Sequence, residues 1–159
     1  MGLLGGWGHS WKLGWPGYGK TSTDVAFFAF YPQMGWFVSD RLELFGDGSL
    51  LIYHQPSLEI AAGLVGLAGR YHLWDDRTWI PYAMLGGGLI WTSLEEVIEI
   101  DRMFNFQVVF GAGVRLRPAK GPGFILEFRN HHISNAGTAG ENRGINAGTF
   151  LAGIEWILR

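Results

Sequence analysis

The 159-residue chain contains no cysteine, which excludes disulfides, thiol nucleophiles and Cys-based metal sites. Charge is scarce. Asp, Glu, Lys and Arg make up 16% of the residues, against about 25% in a typical soluble domain, so ordinary polar surface is under-supplied. A net charge of -2, with no extended Lys/Arg cluster, lacks the electrostatic footprint of a nucleic-acid binder. Long hydrophobic runs are missing too: Gly, Arg, Glu or Asp interrupts every apolar stretch before it reaches the roughly 18 residues of a membrane-spanning helix. The opening MGLLGGWGHSW has neither a basic start nor a continuous apolar core, so no signal peptide is expected in these residues.

What is plentiful points one way. There are 25 glycines and eight tryptophans, and aromatics reach 15%. A charge-poor, aromatic-rich chain with no spanning helix is left with the other solution to crossing a bilayer, a closed β-barrel that pairs every backbone polar group. The length suits one domain over residues 1–159.

Alternation supports this. In FNFQVVFGAGVRLRP, Phe104, Phe106, Val108, Phe110, Ala112, Val114 and Leu116 share one parity, and Asn105, Gln107, Gly111, Gly113, Arg115 and Arg117 share the other. The final segment repeats the pattern, with Phe150, Ala152, Ile154, Trp156 and Leu158 opposing Thr149, Leu151, Gly153 and Glu155. Roughly ten-residue runs, apolar on one face and polar or small on the other, are the mark of a transmembrane barrel. The fold expected is all-β, an eight-stranded antiparallel transmembrane β-barrel. Short inner turns are expected at Pro32-Gln33, Asp75-Asp76 and PAKGPG, and MGWFVSDRLELFGDGSLLIY reads as one long strand. Arg115, Arg117, Glu127, Arg129 and Glu155 are expected to form a charge network in the lumen. The competing architecture is a soluble eight-stranded ligand carrier, whose apolar face points inward. Rows of Phe and Trp too bulky for a narrow interior weigh against it.

Chemistry concentrates at the end of one run. After GFILEFR comes NHHISNAG, and with strand period two His132 and Ser134 fall on the face of Phe124, Leu126 and Phe128, while His131 points the other way. Their backbones stand about 7 Å apart at a rise of roughly 3.3 Å per residue, so a favourable imidazole rotamer can reach the hydroxyl as a general base. Asn146 has the parity of Phe150, Ala152 and Ile154, and a short loop makes its strand the antiparallel neighbour. It can therefore orient the imidazole, and the Asn and Gly residues of SNAGTAGENRGIN can supply donors to an oxyanion. Taken alone, a strand-end His beside a Ser more often caps a loop. A nucleophile on the outer rim of a lipid-facing wall, however, is placed to meet the ester bonds of lipids. His9, His54 and His72 are isolated, without metal-ligand spacing, so no metal is expected.

HHISNAG followed by ENRGIN resembles the signature of the outer-membrane lipid A 3-O-deacylases, specifically over residues 130–148 and more loosely over GLAGRYHLWDDRTWIPYAMLGGGL. The resemblance implies a bacterial outer-membrane barrel hydrolysing the 3-O-linked hydroxyacyl ester of lipid A. Ser134 would be the nucleophile and His132 the base, Asn135 and Asn142 would be candidates for the oxyanion hole, and no cofactor would be required. The partners implied are lipid A or lipopolysaccharide, membrane lipid and a second copy of the chain as a homodimer. Well-known members carry Glu at the position of Asn146. An amide cannot hold an imidazolium by charge, and in serine-protease triads the comparable Asp→Asn change costs about 10⁴ in turnover. Glu141, in the loop, is the alternative acid. The second reading, from a different class, is a catalytically impaired lipid-binding or structural outer-membrane barrel.

Overall fold

The structure, a computed structural model, describes residues 1–12, 23–55, 57–74, 78–94, 100, 103–140 and 142–156. Eight strands follow in chain order: β1 Gly2–Ser10, β2 Ala26–Phe37, β3 Leu42–Gln55, β4 Glu59–His72, β5 Trp79–Thr92, β6 Phe104–Leu116, β7 Gly123–Ser134 and β8 Ile145–Glu155. Each pairs antiparallel with the next, and β8 closes on β1, so no sheet edge is left open. Both ends of the described chain meet at one rim, where the Met1 amino group donates to Trp156 O at 2.9 Å. The connections at 38–41 and 117–122, with residues 73–74 and 78 at the ends of β4 and β5, share that rim. Residues 135–140 and 142–144, between β7 and β8, lie at the opposite end.

The faces sort as a membrane barrel requires and a soluble carrier forbids. Met34, Leu67, Leu85, Phe104, Leu126 and Phe150 point outward, each more than 60% exposed. Inward stand three arginines and four carboxylates, all buried. Arg129 donates to Asp47 at 2.7 Å and to Glu127 at 2.8 Å. Arg70 donates to Glu43 at 3.0 Å and to Gln33 at 3.2 Å. Arg115 reaches Glu43 at 2.9 Å and pairs with Glu155 at 2.8 Å. The Tyr82 hydroxyl donates to Glu127 at 2.7 Å. Arg115, Glu127, Arg129 and Glu155 thus sit in the network expected of them, and Arg117 lies at the rim of the 38–41 and 117–122 connections, 5.3 Å from the Phe37 ring.

Close strand approach explains two of the glycines. A Cβ on Gly88 would stand 1.9 Å from Leu64 O, and one on Gly111 would stand 2.2 Å from Phe128 O. No side chain fits either place.

Two expectations are corrected. Pro32-Gln33 is not a turn, because β2 runs through it with Leu3 opposite Pro32 and Gly2 opposite Gln33. On the other side the ladder steps from Phe30–Leu50 to Gln33–Asp47, sparing Pro32 the donor it lacks, and Gly48 leaves room for its ring. The long strand read over residues 34–53 is broken at 38–41, where Val38 N donates to Leu42 O at 2.9 Å and Leu42 N to Ser39 Oγ at 3.1 Å. The Asp75-Asp76 pair lies outside the described residues.

The outward face carries a stability test. Leu85, 63% exposed on β5 and far from the site below, should face hydrocarbon, so Leu85→Arg is expected to cost about 2 to 4 kcal/mol in bilayers near the midplane. Denaturant unfolding in lipid vesicles measures it, and a change under about 0.5 kcal/mol would remove this face from the hydrocarbon.

Candidate active site

The outward face of β7 changes character along its length. Phe124 and Leu126 are exposed, Phe128 is half-buried, and Asn130, His132 and Ser134 are buried as the strand reaches the rim that holds residues 135–140. Trp11 accounts for part of this cover. Its main-chain N–H donates to Asn146 O at 2.9 Å, and its ring packs 6.0 Å from Phe128. A shallow apolar groove of about 500 Å³ lies on the same wall, lined by Gly5, Leu126, Phe128, Phe150 and Ala152 among others.

Register brings the expected pair together. His132 stands opposite Asn146 in the β7–β8 ladder, and its Nδ1 lies 2.8 Å from Asn146 Oδ1. A carbonyl oxygen only accepts, so Nδ1 carries the proton and Nε2 presents its lone pair, the tautomer a general base needs. Ser134 shares the face, but no hydrogen bond joins its hydroxyl to His132 among the described residues. His131 points into the lumen as its parity requires, with Nε2 2.8 Å from Gln107 Oε1.

The loop after Ser134 is tightly wound. Asn135 is fully buried, its N–H donates to Asn142 Oδ1 at 3.1 Å, and its own Oδ1 accepts from Gly137 N at 2.8 Å. Its carbonyl accepts from the Thr138 hydroxyl at 2.6 Å. The next residue, Ala136, holds a left-handed φ of 53°, a conformation that costs a non-glycine residue about 1 to 2 kcal/mol. The two asparagines expected at an oxyanion are therefore brought together, with the side-chain carbonyl of each accepting a main-chain N–H: Asn142's from Asn135, and Asn135's from Gly137. Glu141 lies outside the described residues.

Sequence reasoning missed Trp11 and Gly144. Trp11 follows a strand whose loop partner could not be read, and Gly144 carries no sequence signal beyond turn chemistry.

A family model described as lipid A 3-O-deacylase (PagL) matches residues 5–155. The chain belongs to the lipid A 3-O-deacylase family. Among solved structures, the crystal structure of the outer membrane enzyme PagL superposes with a TM-score of 0.69 at 16% identity, covering 97% of this chain and 99% of that one. The solid-state NMR structure of the outer membrane protein AlkL in DMPC lipid bilayers gives a TM-score of 0.44 at 12% identity, covering 99% of this chain and 92% of that one. No curated protein matches the sequence. Family membership and fold agree with the sorting of faces, apolar outward and charged inward, that marks an outer-membrane barrel.

Proposed function

We propose that the protein is an outer-membrane hydrolase that removes the 3-O-linked hydroxyacyl group of lipid A, with Ser134 as nucleophile and His132 as general base. The observation that carries the reading is the 2.8 Å contact of His132 Nδ1 with Asn146 Oδ1, on the same outward face and rim as Ser134. A membrane-anchored substrate presents its ester bonds at that height, and the apolar groove on the same wall suits an acyl chain.

In this mechanism substrate binding brings the Ser134 hydroxyl to Nε2 of His132. The proton passes to Nε2 as Oγ attacks the ester carbonyl, and the oxyanion is held by amide donors of Asn135, Asn142 or the nearby main chain. Collapse of the tetrahedral species breaks the bond to the sugar oxygen, which takes the proton back from the imidazolium. Water, deprotonated by the same nitrogen, then releases a 3-hydroxy fatty acid and restores Ser134. Asn146 holds the ring and its tautomer throughout, as a neutral amide does in Cys-His-Asn enzymes.

The second reading is a barrel that binds lipid A without turning it over. The neutral partner of His132 favours it. Mass spectrometry of lipid A incubated with the purified barrel in mixed micelles separates the two. Loss of one 3-hydroxyacyl group is expected, and an unchanged spectrum across several lipid A types would leave only binding.

The orienting residue has its own test. Asn146→Ala is expected to lower turnover by about 10²-fold or more, while Asn146→Glu, which adds charge to the same contact, should raise it. Should Glu141→Gln reproduce the loss and Asn146→Ala leave turnover intact, the orienting role would pass to Glu141.

A further inference from the structure

Gly144 lies two residues before Asn146, on the approach to β8, and is buried. A Cβ built on it would stand 2.7 Å from Cε1 and 3.4 Å from Nε2 of His132, and 3.0 Å from Ile133 O. Its φ of 73° is left-handed, a conformation that glycine adopts without the Cβ penalty. The imidazole is thus bounded on two sides by the same segment: Asn146 Oδ1 meets Nδ1 at 2.8 Å, and the bare main chain of Gly144 backs the Cε1–Nε2 edge.

We infer that Gly144 is a positioning residue, whose missing side chain lets the main chain clamp the His132 ring with Nε2 directed along β7 towards Ser134. The inference rests on the Ser134–His132 reading above. Bringing 2.7 Å out to the 3.4 Å of ordinary contact moves the ring edge by about 0.7 Å. With Nδ1 tethered to Asn146, that motion falls on the edge that must take the proton. Misplacement of a reacting group by about 1 Å costs on the order of 10²-fold in rate.

Turnover of a 3-hydroxyacyl ester in micelles tests the clamp. Gly144→Ala is expected to lower kcat by about 10²-fold and to change KM by less than about twofold, because the ring acts in the chemical step. Gly121→Ala is the control for backbone strain: its φ is 88°, nothing lies within 4 Å of a Cβ there, and it occupies an inner turn. It should keep wild-type kcat. In a His132→Ala background, adding Gly144→Ala should cause no further fall in residual turnover, since the clamp acts through the ring. A general structural defect would lower it again.

Should Gly144→Ala fail to assemble, the wild-type protein still decides. A strong nuclear Overhauser contact between His132 Hε1 and the Gly144 Hα protons is expected in micelles, and its absence overturns the clamp. Wild-type kcat in Gly144→Ala, or an equal loss in Gly121→Ala, overturns it as well while leaving the active-site reading intact. Full activity in Ser134→Ala removes that reading and the clamp with it.

Discussion

Arg129→Ala is expected to destabilise the barrel by about 3 to 5 kcal/mol, the range for removing one partner of a buried ion pair. Arg129 is fully buried, and its guanidinium divides between two carboxylates, Asp47 at 2.7 Å and Glu127 at 2.8 Å. It also lies 4.3 Å from the centre of the Tyr31 ring. Alanine would leave two carboxylates in the lumen with one cation fewer, and the gap would lose its packing against Tyr31. Arg129→Lys should recover only part of the loss, because a single ammonium cannot replace a fork aimed at two acceptors.

Combining Arg129→Met with Asp47→Asn and Glu127→Gln should restore much of the stability, since a buried network of this kind costs desolvation that neutral groups of similar shape do not incur. Denaturant midpoints in lipid vesicles would report each step. A single variant within about 0.5 kcal/mol of wild type would mean that the lumen screens these charges far better than their burial implies.

This network explains why part of the fold was legible in the sequence and part was not. β6 and β8 pair in continuous register, so strict period two survives along them and Arg115 and Glu155 could be assigned inward. β4 is different. The β4–β5 register shifts between Leu64 and Leu67, both of which face outward. Counted from Leu64, Arg70 would face lipid, whereas the bulge turns it into the lumen towards Glu43 and Gln33. β3 keeps strict alternation, with Glu43, Phe45, Asp47, Ser49, Leu51 and Tyr53 all inward, whereas a bulge leaves no reliable mark in the residue pattern, so the inward set on β4 stayed hidden.

The break between β2 and β3 failed for another reason. Trp36, Phe37, Val38 and Leu42 are apolar on both sides of it, and only Ser39-Asp40 carries turn chemistry. The aromatic girdle at the rim thus masks the turn that it flanks.

The site follows the same logic. His132, Ser134 and Asn146 lie on strands without bulges at that end, so parity placed them on one face, and the register then put His132 opposite Asn146. The path of residues 135–140 and 142–144 depends on left-handed turns at Ala136, Gly137 and Gly144, which the sequence only hints at through its glycines. Contacts that need that path, Asn142 on the Asn135 N–H and Gly144 against the imidazole, could not be read from spacing.

The largest kinetic effect is expected at Ser134. The proposed mechanism routes both half-reactions through its oxygen, so Ser134→Ala should remove turnover by a factor on the order of 10⁴ to 10⁶. It should leave stability within about 0.5 kcal/mol of wild type, because Ser134 makes no hydrogen bond to His132 that the substitution would break. His132→Ala should cost nearly as much, since an unassisted serine hydroxyl is a weak nucleophile at neutral pH. Groups that act as one unit do not add, so the double variant should be no slower than either single one. Hydroxyacyl release from lipid A, followed by mass spectrometry against a no-enzyme blank, measures all three. Two independent losses that multiply in the double variant would show that Ser134 and His132 serve separate steps, and full deacylation by Ser134→Ala would remove the serine from the reaction altogether.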